Sequence, residues 1–176
     1  RPMSTLISAD NLDGSLKIAD GYSKSAQILM KSAGQTRRSE SLHSMVVLRA
    51  LSLDIYMRCL YALDRNKAYE GHHAKQVFAA LSDETRRKVT EYYNRSVAES
   101  EFIQQMHSKH MEIKGTAAAI DLEHVLQEWG DALKGRYFFA PEHKISFLAF
   151  AELENALVQR IEEIRGTAGG KQESAA

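Results

Sequence analysis

"SLHSMVVLRALSLDIYMRCLYALD", Ser41 to Asp64, decides the fold. The run is apolar on nearly every side and holds neither glycine nor proline. A helix with this pattern cannot sit on a surface, where one half of it would stay in water. It belongs at the centre of a helical bundle. Its few charges, Arg49, Asp54 and Arg58, then need partners or a wet pocket, because a lone buried charge is costly. Cys59 lies in the same run and reads as a small buried residue rather than a nucleophile.

Outward from this run, the chain keeps helical periodicity. Upstream, the segment to Gly21 is polar and punctuated by Gly and Asp, which predicts a loose start. "YSKSAQILMKSAG", Tyr22 to Gly34, predicts a short helix ended by Gly34. Downstream, "RNKAYEGHH" is a connector and "HHAKQVFAALS" a short helix. Ser82 or Asp83 can N-cap the next helix, with Asp83 and Glu84 favoured at its positive end. That helix is long: Val89, Tyr92, Tyr93, Val97, Phe102, Ile103, Met106, His110 and Ile113 keep steps of three and four up to Gly115.

"AAAIDLEHVLQEWGDALKG" supplies another helix, with Leu122, Leu126, Trp129 and Leu133 on one stripe and Gly135 as terminator. The last is "PEHKISFLAFAELENALVQRIEEIR", whose Phe150, Leu153, Leu157, Ile161 and Ile164 form a core or dimer seam. The expected fold is all-α, an antiparallel bundle of four to five main helices over residues 21–166. A loose segment, 1–20, is expected before it and a disordered tail, 167–176, after it.

The bulk numbers narrow the function. A chain of 176 residues suits one domain. Lys+Arg and Asp+Glu are 23 each, so long nucleic acid held mainly by its backbone is disfavoured and any RNA contact should be a local patch. One cysteine cannot form an internal disulfide. No apolar run approaches the roughly 20 residues of a membrane span. No secretory leader is read, and cytoplasm is the expectation.

"GRYFFAPEH", Gly135 to His143, comes nearest to a functional motif. Pro141 fits the first position of a helix, where its missing N–H removes nothing. His143 then lies in the first turn, whose positive dipole end disfavours imidazolium. A neutral imidazole can take a proton from a hydroxyl. Arg136 can clamp a phosphate in bidentate fashion. Together they have the parts for RNA cleavage without metal: His143 deprotonates a ribose 2′-OH and Arg136 holds the scissile phosphate. The competing reading pairs Arg136 with Glu142 or Asp54, leaves His143 solvated and uses Tyr137, Phe138 and Phe139 as packing anchors.

Other clusters are weaker. His107 and His110 with Glu112, and the Glu-x-x-His pairs Glu40/His43 and Glu70/His73, have spacings a metal could use. None completes a ligand set, so no metal or cofactor is expected. The basic groups around Arg37-Arg38 and Arg86-Arg87-Lys88 read first as solvated helix ends.

In order, these motifs resemble the HEPN domain, the small helical bundle of higher-eukaryote and prokaryote nucleotide-binding proteins. Many members carry a Ser-x-acid element followed by Lys or Arg in the central helix, matched by Ser52, Asp54 and Arg58, with Asp for Glu. Many follow it with a Gly-His pair opening a short helix, matched by Gly71-His72 with Val77-Phe78. Active members have an R-x(4–6)-H motif near the last helix, matched by Arg136-Tyr137 and His143, with Pro141 inside it. The resemblance covers roughly Tyr22 to Arg165. It implies a homodimer with Arg136 and His143 facing across a two-fold cleft and Asp54, or a neighbour on the central helix, in support. It implies metal-independent endoribonuclease activity for active members, of toxin or defence type. For inactive ones it implies binding of RNA, a nucleotide ligand or a protein partner, often a nucleotidyltransferase.

Overall fold

The apolar run Ser41–Asp64 lies within one 27-residue helix of the computed structural model, which describes residues 7, 11–36, 39–71, 73–116, 119–133 and 149–173. Seven helices occur among them: α1 (Leu12–Thr36), α2 (Ser39–Arg65), α3 (Ala74–Ala79), α4 (Asp83–Glu99), α5 (Glu101–Lys114), α6 (Leu122–Leu133) and α7 (Phe150–Glu173). The fold is all-α, as the periodicity predicts.

Side-chain pairings set the directions. Asp20 meets Tyr56 and Ser23 meets Arg49, so α1 and α2 form an antiparallel hairpin. Ser23 also meets Glu154 while Asp13 meets Arg165, so α7 runs antiparallel to α1. Ser100 meets Glu152 and Tyr92 meets Glu163, so α4 runs antiparallel to α7. α6 lies against α2, its Trp129 indole donating to the Ala50 carbonyl at 3.0 Å. Leu53, Met57 and Leu60 of α2, Val89 and Tyr93 of α4, Trp129 of α6 and Phe150, Leu153 and Leu157 of α7 are fully buried in one cluster. The Phe150–Ile161 stripe is therefore core within this chain. Among the described residues no helix is long and apolar enough to cross a membrane.

Three of the expected helices differ from the sequence reading. α1 begins at Leu12, well before Tyr22, and passes Gly34. Leu12 and Ala19 are buried in the core, so packing against α2 and α7 overrides the Gly and Asp punctuation. α7 continues through Gly166 to Glu173, into the stretch expected to be disordered. The long helix from Asp83 to Gly115 is two helices. Ser100 breaks it with an extended backbone (φ −79°, ψ 104°) and caps both halves. Its Oγ accepts from Ile103 N at 3.3 Å and donates to Glu152 Oε1 at 2.8 Å. A polar anchor to α7 outweighs the continuous 3.6-residue pattern there. Two other ends follow the sequence signals: Ser82 caps α4 by accepting from Thr85 N at 3.2 Å, and Gly115 closes α5 in the left-handed region at φ 69°. The expected stop at Gly135 and start at Pro141 lie outside the described residues.

Candidate functional site

Arg49, Asp54 and Arg58 of α2 all find partners. Arg49 Nη1 donates to Glu154 Oε1 at 2.8 Å, with both side chains less than a tenth exposed. Ser23 Oγ donates to the same oxygen, and Ser52 Oγ donates to Oε2 at 2.9 Å. Glu154 thus holds three donors from α1 and α2, and a carboxylate saturated in this way fixes the register of three helices. Beside it Tyr56 donates to Asp20. Burial, then the Asp20 bond and nearby carboxylates, push the Tyr56 phenol well above its usual range, so it stays protonated.

Asp54 and Arg58 face a different side of α2. Arg58 Nε donates to Asp54 Oδ2 at 2.8 Å, one turn apart on the same helix. The far end of the guanidinium closes the connector: Nη2 donates to Gly71 O at 2.5 Å and Nη1 to Tyr69 O at 3.5 Å. The Tyr69 ring stacks edge-on against Tyr61, centroids 5.0 Å apart. That ring explains Gly71, where an added Cβ would lie 2.7 Å from Tyr69 Cε1. The central-helix element and the Gly71 element are therefore parts of one joint. His72 lies outside the described residues.

Arg136, Tyr137, Pro141 and His143, the corner itself, also lie outside the described residues. Its two stems are described, and both are fastened to one turn of α2. α6 is held by Trp129 on Ala50 O, one turn before its end at Leu133. α7 is held by Ser52 on Glu154, one turn after its start at Phe150. Asp54 opens the next turn of α2, one turn on from Ala50, with a quarter of its side chain exposed.

The two stems carry two further buried carboxylates. Glu152, in the first turn of α7, takes Ser100 on Oε1, while its Oε2 is sealed from solvent with no hydrogen-bond partner among the described residues. Glu128 of α6 is buried and lies 3.2 Å from His124 Nε2. Burial, then the charges of Glu152, Asp121 and Glu128, push the Tyr93 phenol well above its usual range, and its hydroxyl donates to Ile120 O at 2.5 Å.

A second network pins α4. Asp64 Oδ1 accepts from Ser82 Oγ at 2.6 Å and Thr85 Oγ1 at 2.5 Å, and Oδ2 accepts from Ser82 N at 2.7 Å. Buried Arg160 of α7 reaches Thr85 Oγ1 at 3.2 Å and Glu163 Oε2 at 2.8 Å. Among the described residues no group of three or more His, Cys, Asp or Glu could hold a metal ion.

The sequence reading singled out Asp54 and passed over Glu128, Glu152, Glu154 and Arg160. Most of their signal was in the spacing. Glu154 lies four residues after Phe150 and three before Leu157, on the core stripe, and Glu128 lies three after Val125. A carboxylate on a core stripe is a buried polar group awaiting donors. No family model, curated protein or solved structure matches the chain.

Proposed function

We propose that this chain is a HEPN-type helical domain that cleaves RNA without metal, with Arg136 and His143 as the reactive pair and Asp54 in support. What carries the proposal is the shared anchorage of the two stems. α6 and α7, which lead into and out of the corner, bind the Ala50–Ser52 turn of α2. Asp54, held in orientation by Arg58, opens the next turn. The two stems of the corner thus share an anchor at the middle of the central helix, one turn from Asp54, which supports a site assembled there.

The chemistry follows from the two side chains. His143 removes the proton of a ribose 2′-OH, and the oxygen attacks the adjacent phosphorus. The bond from phosphorus to the 5′ oxygen of the next nucleotide breaks. The products are a 2′,3′-cyclic phosphate and, after protonation, a 5′-OH. Arg136 lowers the barrier by meeting the charge that builds on the non-bridging oxygens. A second copy of the chain would complete a two-fold cleft. Incubation of purified protein with total RNA in EDTA tests this, with His143→Ala beside it. The wild type cleaves and the variant does not. Absence of cleavage, or equal cleavage by the variant, refutes the catalytic reading.

One observation favours a second reading, a dimeric module that binds RNA, a nucleotide ligand or a protein partner without turnover. Asp54 is committed to Arg58, and Arg58 to the connector carbonyls. Both are then structural, and the module would retain RNA in a binding assay while leaving it intact.

A further inference from the structure

The outward face of α1 does not look like a face meant for water. Gly14, Ile18, Gly21, Ser25 and Ile28 follow one another at steps of four and three along a 25-residue helix, and all are exposed. Ile18 is 55% and Ile28 67% exposed. A solvated face would carry Lys, Glu or Gln at such positions. Glycine inside a helix is unfavourable relative to almost any other residue. Among the described residues nothing explains Gly14 or Gly21, since a Cβ at either would meet no atom within 4 Å. Small residues alternating with isoleucines at coiled-coil spacing let a second helix approach closely, with the isoleucines as anchors.

The edges of this face say what approaches. Lys17, Lys24 and Lys31, all exposed, recur at heptad spacing along one side. The acids nearest to them are already engaged, Asp13 by Arg165 and Asp20 by Tyr56. The other edge, Ser15, Tyr22 and Leu29, is uncharged. A second copy fits poorly. An antiparallel pair sets Lys17 of one copy beside Lys31 of the other, and Lys24 beside Lys24. A parallel pair sets the lysines against the uncharged edge.

We infer that the outer face of α1 docks an amphipathic helix of a different protein, one with an apolar seam and a line of acidic residues that meets Lys17, Lys24 and Lys31. This holds whether or not the corner cleaves RNA.

The probe is a synthetic peptide of roughly three heptads, with Ala and Leu at the seam and Glu along both flanks. Its twin carries Lys at the flanks. Fluorescence anisotropy against the full chain should show binding of the Glu peptide, weakened by salt, and none of the Lys peptide. The double variant Gly14→Leu/Gly21→Leu should bind at least about tenfold more weakly while melting no lower than wild type. Lys17→Glu/Lys24→Glu/Lys31→Glu should reverse the preference between the peptides. Failure of the Glu peptide to bind, or its undiminished binding to the leucine variant, overturns the inference. So does sedimentation showing a wild-type dimer that the leucine variant splits, since the occupant would then be a second copy.

Discussion

Glu154→Leu should be among the most damaging single substitutions in the protein. The change keeps an apolar side chain of similar bulk on α7 but strands Arg49, whose guanidinium has less than a tenth of its side chain exposed. Removing one member of a buried ion pair costs about 3–5 kcal/mol, because the other charge stays buried without compensation. Ser23 and Ser52 lose their acceptor as well. Against a typical total of about 5–15 kcal/mol, that is about a fifth of the stability or more. At about 2–4 °C per kcal/mol for a chain of this size, the melting temperature should fall by about 6–20 °C.

Replacing both partners, Arg49→Met with Glu154→Leu, removes the stranded charge and should recover most of the loss. Urea unfolding followed by far-ultraviolet circular dichroism measures all three variants, provided their m-values agree. The double-mutant cycle should return a coupling of at least about 2 kcal/mol. A single-variant loss under about 1 kcal/mol, or a double variant that loses the sum of the singles, refutes the claim that this pair is a closed, desolvated unit.

Other consequences are equally direct. Gly71→Ala drives a methyl into the Tyr69 ring and should loosen the Arg58 joint, lowering stability by about 1–3 kcal/mol, read as a drop in urea midpoint at constant m-value. Burial opposes the charge on Asp64, but the bonds from Ser82 and Thr85 outweigh it and hold its pKa below the usual carboxylate range. The folded state therefore favours the ionised form, and the stability it contributes is full above about pH 4 and is lost as pH falls through the lowered folded value. Urea midpoints from pH 7 to pH 3 should fall more steeply for wild type than for Asp64→Asn; parallel slopes would contradict this. Cys59 is fully buried and burial pushes its thiol up to about 12, so it should react with a disulfide reagent only as fast as the chain opens. Rapid labelling of folded protein would show the burial to be wrong.

Much of the fold could be read in the residues because helical burial leaves a periodic trace. The all-round apolar run gave the central helix, and Ser82 and Gly115 marked real ends. What failed were places where tertiary contacts beat local signals. Gly14 and Gly21 suggest a loose start, yet Leu12 and Ala19 bury themselves and carry the helix through. Ser100 lies inside an unbroken helical pattern and still stops it, because its hydroxyl serves Ile103 and Glu152 together. The long-range partner of a serine leaves no local trace.

The site divides in the same way. That Arg49, Asp54 and Arg58 need partners followed from their apolar surroundings. Which groups supply them did not, since Glu154 lies far along the chain from Arg49. Arg58 could be seen as a charge on a buried helix, but its grip on the Tyr69 and Gly71 carbonyls depends on how the connector folds back. Gly71 stood out as a motif residue, while its physical reason, the Tyr69 ring, appears only in three dimensions.

The central claim is that this domain cleaves RNA by attack of a ribose 2′-OH, with His143 as base. The most direct measurement is the mass of the fragment ends after incubating a defined single-stranded RNA with the protein in EDTA. The account predicts 2′,3′-cyclic phosphate and 5′-OH ends, lost with His143→Ala and blocked by a 2′-deoxy nucleotide at the scissile position. Intact RNA, or cleavage that persists at the 2′-deoxy position or in His143→Ala, would contradict it.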